Sequence, residues 1–206
     1  MTERISLRKQ GKAKLVSLFE DEETSNKDKR EGARVPITEL TRKSSNHMKF
    51  VLRKSSCDFQ GFLRLNYPRC YPRDGKTCKK HLNLFLTHLR NDYKGMKYFW
   101  FMEFQDGGAP NFGIFLSCMV PGKTYVSPLW HRIVNSEDTA DLNSGTNVVR
   151  LRSSKDVIGY ATTYAQKLTH KMTPEDFASV GRFWGSSRGL CETIVELNDV
   201  SICQVP

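Results

Sequence analysis

The chain has no apolar run approaching the roughly 20 residues that a helix needs to cross a bilayer, and its N-terminus lacks the apolar core of a secretory signal. A helical membrane span is not expected, and a cytoplasmic location is. Cysteine offers little. The six thiols, Cys57, Cys70, Cys78, Cys118, Cys191 and Cys203, show no paired metal-site spacing, so they read as scattered reduced thiols. No internal repeat is visible. Acid is short: 22 Asp and Glu stand against 32 Lys and Arg, a net charge of +10 with a pI near 9.4. That excess favours a polyanionic partner, nucleic acid first and an anionic membrane surface second. The membrane-surface reading is weak, because neither a lipidation signal nor a strongly apolar amphipathic helix is present.

What is present is enough for one domain with an extension. The hydrophobic fraction of 38% supports a lean core. Residues 1–46 are dense in charge of both signs, with Glu20-Asp21-Glu22-Glu23 followed by Lys27, Lys29 and Arg30. They read as a flexible leader; Arg8, Lys9, Lys12 and Lys14 leave open a DNA-binding or partner arm. The globular part is expected over 47–206. Phe50–Arg53 is a candidate first strand, and Phe62–Tyr67 alternates as a half-buried strand should. Leu82, Phe85, Leu86 and Leu89 fall at i, i+3, i+4 and i+7, which predicts an amphipathic helix over Cys78–Asp92. Pro121–Tyr125 reads as a loop, Pro128–Val134 as a short helix anchored by Trp130, and Asn147–Arg152 as a strand. A helix is expected over Val157–Leu168, a short turn after Pro174, and a last strand at Thr193–Leu197.

Tyr98–Phe104 and Phe112–Val120 read as two apolar strands joined by the turn residues Asp106-Gly107-Gly108-Ala109-Pro110. So apolar a hairpin belongs at the centre of a sheet. Glu103 is the single acid within its first strand, and a buried acid needs a partner or a function.

Two further clusters carry chemistry. Between Lys49 and Lys97 there are twelve Lys and Arg against three Asp. Such a run is commonly just a solvated face. Here Tyr67, Tyr71 and Tyr93 lie among the cations, and rings beside cations suit single-stranded DNA, with stacking for bases and charge for backbone. Arg64, Arg69, Arg73, Lys76, Lys79 and Lys80, with Lys171, are the candidate DNA contacts. Second, Tyr160, Tyr164, Lys167 and Lys171 recur at i, i+4, i+7 and i+11, on one helical face. The plain reading is amphipathic decoration. The functional reading is a tyrosine nucleophile, Tyr164 or Tyr160, with Lys167 stabilising charge.

In order and spacing, four segments resemble rolling-circle replication initiators of the HUH endonuclease class, of the filamentous-phage gene II and plasmid type. They are Phe62–Pro68; Phe99–Gln105 with Gly108-Ala109-Pro110; Tyr160–Lys167, which contains a Tyr-x-x-Lys motif; and Gly181–Gly185 with Ser187–Leu190. The resemblance implies an α+β fold with a central antiparallel sheet flanked by helices, related to the ferredoxin-like fold. It also implies a bacterial host cell, Mg²⁺ or Mn²⁺ held by a His-hydrophobic-His pair and a third ligand, and a tyrosine that nicks origin DNA. Single-stranded DNA or an origin hairpin would be the ligand, with host replication proteins as further partners. The sequence departs where the pair should stand. Asn111-Phe112-Gly113 replaces it, which leaves Glu103 as the ligand candidate and Asn111 and Gly113 as degenerate positions. The function expected is therefore an initiator-like DNA-binding protein deficient in nicking. An active origin-specific single-strand endonuclease and a non-catalytic regulatory or partner-binding protein are the alternatives.

Overall fold

The computed structural model describes residues 40–67, 71–105, 107–137, 142, 144–153, 157–160, 163, 173–178 and 180–191. Most of the expected leader and the expected strand Thr193–Leu197 lie outside the described residues.

Five strands form one antiparallel sheet: β1 (Gly61–Asn66), β2 (Tyr98–Phe104), β3 (Pro110–Leu116), β4 (Thr146–Arg150) and β5 (Trp184–Ser186), in the order β4-β1-β3-β2-β5. Helices α1 (Arg42–Arg53), α2 (Gly75–Asp92) and α3 (Ser127–Val134) flank it. This is the expected α+β class, with the apolar hairpin at its centre. Every residue of β3 is buried, and the strand is apolar on both faces except at Asn111. Its turn needs Gly108, whose φ is +79°; only glycine enters that left-handed region without cost. The Gln105 amide donates to the Ala109 carbonyl at 2.9 Å and closes the turn.

The pleat sorts side chains into two cores. On one face Leu63, Leu65, Met102, Phe112 and Ile114 meet Leu82, Phe85, Leu86 and Leu89 of α2 and Trp130 of α3. The Trp130 indole donates to the Asn66 carbonyl at 2.7 Å, fixing α3 to β1. On the other face Phe99, Phe101 and Phe115 meet Met48 and Leu52 of α1, Val157 and Trp184.

The structure corrects three local expectations. Phe50–Arg53 is not a strand but the end of α1, which begins at Arg42 inside the expected leader. The Thr41 hydroxyl accepts from the Ser44 amide at 3.1 Å as its N-cap, and Ser45, Met48 and Leu52 form its buried stripe. Helix α2 begins at Gly75, ahead of Cys78, because the Asp74 carboxylate accepts from the Lys76 and Thr77 amides at 3.0 and 3.2 Å. Pro121–Tyr125 is not a plain loop: Gly122–Val126 forms a π-helical turn leading into α3.

Candidate functional site

The site lies on the α1 side of the sheet and is laid out by strand register. Asn66, Asn111 and Glu103 form one cross-strand row on β1, β3 and β2. Arg64, Gly113 and Phe101 form the next, and Phe62, Phe115 and Phe99 the third. Side chains that alternate along each strand therefore share one face. Helical residues 157–160 set Tyr160 against this face. Its ring centroid lies 4.9 Å from Phe62, 5.8 Å from Phe101 and 6.0 Å from Phe115.

Arg64 links the polar groups. Its guanidinium donates to the Tyr160 hydroxyl, and Nη2 stands 4.0 Å from Glu103 Oε2. The Arg64 side chain is 39% exposed and that of Glu103 19%, so the pair sits at the rim of the core, where solvent screens it. Burial raises the Tyr160 phenol above its usual value, the Glu103 charge raises it further, and Arg64 opposes both. A raised phenol is a poor nucleophile near neutral pH. The guanidinium has the geometry to hold a phosphate oxygen.

Of the two positions where the resemblance places metal-binding histidines, Gly113 has a structural explanation of its own. A Cβ on Gly113 would fall 2.2 Å from Phe101 Cζ; the distal end of the Phe101 ring occupies the space beside the glycine, an aromatic covering a bare backbone position. Asn111 is only 6% exposed, and its Oδ1 has no hydrogen-bond partner. As a donor set for a divalent ion these residues do not fit. Glu103 faces a fixed guanidinium, Phe101 fills the Gly113 position, and one amide oxygen cannot complete the six or more oxygen ligands of a hard cation. No group of three His, Cys, Asp or Glu able to hold a metal occurs among the described residues.

The structure thus brings together Tyr160, Arg64, Glu103, Asn111 and Gly113. Tyr164, Lys167, Lys171 and Arg69 lie outside the described residues. The other candidate DNA contacts are elsewhere. Lys76 and Lys80 are exposed on α2, across the sheet. Arg73 lies 4.9 Å over the Tyr71 ring. The Lys79 ammonium sits 3.9 Å over Trp100 and donates to the Arg182 carbonyl at 2.5 Å; burial pushes it down to about 7. Tyr67, expected to stack on bases, is buried instead between Trp130 and Phe112, with its hydroxyl 3.0 Å from His81 Nδ1. Tyr93 packs edge-on against Tyr125.

Sequence reasoning missed the joint role of Arg64 and the covering role of Phe101. Alternation in β1 does separate Phe62, Arg64 and Asn66 from Leu63 and Leu65, but only the register places Arg64 opposite Gly113 rather than Asn111. Comparison with protein-family models, with curated proteins and with solved structures found no match.

Proposed function

We propose that the chain is a DNA-binding protein of the replication-initiator type, of the phage or plasmid kind, with origin nicking weak or lost. The observation that carries this reading is the convergence of Tyr160, Arg64 and Glu103 on one sheet face, beside Asn111 and Gly113. A tyrosine, a guanidinium and a carboxylate at that point are what a phosphodiester-handling centre leaves when its metal-binding histidines are replaced. The net charge of +10 suits the ligand. Single-stranded DNA or an origin hairpin would be bound, and host replication proteins are further partners on this reading. The nicking chemistry of the type needs Mg²⁺ or Mn²⁺ to polarise the scissile phosphate, and the donor set around Glu103 does not fit one. The protein then acts by occupying DNA rather than cutting it.

Two assays test this. In a gel-shift titration the protein retards single-stranded DNA at about 50 mM salt and loses affinity steeply as salt rises, since phosphate contacts release counterions. Incubated with supercoiled circles and Mn²⁺, it leaves them closed. Open circles that vanish on Tyr164→Phe or Tyr160→Phe overturn the nicking-deficient reading in favour of an active endonuclease. Absence of retardation at low salt overturns DNA binding and leaves a partner-binding protein.

A further inference from the structure

We infer that the phosphodiester backbone of bound DNA runs along the basic flank of α1, not along the lysine-rich helix α2. This rests on the DNA-binding reading and names the surface that would serve it.

Helix α1 contains no acidic residue. Its apolar stripe is spent in the core, where Met48 and Leu52 are buried. Arg42, Lys49 and Arg53 line one flank of the helix, about a quarter-turn from the buried stripe, with Lys54 at its C-cap; Lys49 is half-buried and the other three are exposed, and none of the four makes an ion pair with another described residue. The basic surface extends past the helix end. The Ser56 amide and hydroxyl donate to the Leu190 carbonyl at 2.7 and 3.0 Å, which brings the 188–190 turn beside Lys54. Lys97 Nζ then donates to the Arg188 carbonyl at 3.0 Å. The backbone of the 188–190 turn and the Lys97 ammonium thus lie near the C-terminal end of α1.

Position decides between the two helices. Helix α1 packs on the same side of the sheet as Tyr160, through the core that holds Phe99, Phe101 and Phe115. Helix α2 packs on the other side, so a strand held by Lys76 and Lys80 would have the sheet between it and Arg64. The twelve residues of α1 span about 18 Å, the length of about five nucleotides at the duplex rise. A membrane surface is the poorer occupant. An interfacial helix must present a free apolar stripe, and that of α1 is already buried.

The test compares two variants of the full chain, each losing four cations. One carries Arg42→Gln, Lys49→Gln, Arg53→Gln and Lys54→Gln. The control carries Lys76→Gln, Lys80→Gln, Lys94→Gln and Lys123→Gln, all exposed and away from the α1 face. Binding to a single-stranded oligonucleotide is measured over a range of salt. With about 0.7 counterions released per phosphate contact on single strands, the α1 variant should lose about 3 from the slope of log K against log salt. The control should lose less than about 1. Glutamine matches lysine and arginine in helix propensity; if circular dichroism shows a folding defect, the pair Arg42→Gln and Lys54→Gln, at the exposed helix ends, is measured instead. Equal loss in both variants, or greater loss in the control, overturns the α1 surface while leaving DNA binding intact. So does an α1 variant that keeps its DNA affinity but releases phosphatidylserine vesicles. Failure of the unaltered protein to bind the oligonucleotide defeats the DNA-binding reading itself, and this inference with it.

Discussion

Gly113→Ala should destabilise the protein, although alanine is the better strand residue. A new Cβ would lie 2.2 Å from Phe101 Cζ, 2.5 Å from Cε2 and 2.8 Å from Cε1. All three atoms belong to a ring that cannot swing aside, because Phe62 stands 6.2 Å, Phe115 5.8 Å and Tyr160 5.8 Å from its centroid. Overpacking of this kind costs about 1–3 kcal/mol. Relief of glycine's backbone entropy returns about 0.5–1 kcal/mol. The net expectation is a loss of about 1 kcal/mol. Urea unfolding followed by circular dichroism measures it, and at an m-value of about 2 kcal/mol/M the midpoint falls by about 0.5 M. Phe101→Leu alone should cost more, since a fully buried ring is lost. In that background Gly113→Ala should become neutral or stabilising, a coupling of about 1–2 kcal/mol in the double-mutant cycle. A neutral or stabilising Gly113→Ala with Phe101 in place would refute the idea that the ring, rather than a lost metal ligand, accounts for this glycine. The same geometry predicts that histidine at position 113 cannot form a metal site unless Phe101 is also cut back.

Two other perturbations follow from single groups. Asn111→Leu removes a buried oxygen that has no partner and leaves a residue of similar size, so the protein should gain about 1 kcal/mol; a lower melting temperature would mean that the amide is satisfied by something bound there. Burial disfavours the charged form of Lys79 and pushes it from 10.5 down to about 7 in the folded protein. Over that window the unfolded chain holds the extra proton, so this residue's contribution to stability rises with pH from about 7 to 10.5 and is lost as pH falls to 7. Lys79→Met keeps the stem over Trp100 and should flatten that rise in chemical denaturation measured across the window; an unchanged pH profile would count against the burial.

The sequence carried the class of fold well because its strongest signals are local. The i, i+3, i+4, i+7 pattern from Leu82 to Leu89 and the glycine-rich turn between two apolar strands each report one element through its own periodicity. Helix α1 was misread because its stripe is short and polar at Ser45, and because its first residues lie in a charged segment that looks like leader. Tyr67 was misread for a related reason: a tyrosine among lysines carries no local mark of burial, and only packing against Trp130 and Phe112 decides it.

The candidate site divides in the same way. Residue types and spacing singled out Tyr160 and Glu103 before any contact was known, since an acid in an apolar strand and a repeated tyrosine stand out along the chain, while Asn111 and Gly113 were marked only by the resemblance to replication initiators. What they do to one another is set by register. β1 must align with the β2–β3 hairpin and the helical residues 157–160 must dock on it before Arg64 falls between Tyr160 and Glu103, while the Phe101 ring meets Gly113 within the hairpin itself. The sides of the sheet are likewise a tertiary matter. Charge along the chain drew attention to α2, but pleat alternation and packing put α2 behind the sheet and α1 beside the tyrosine. Periodicity determines which face of an element is apolar; only the packed structure determines which of the remaining polar faces meet.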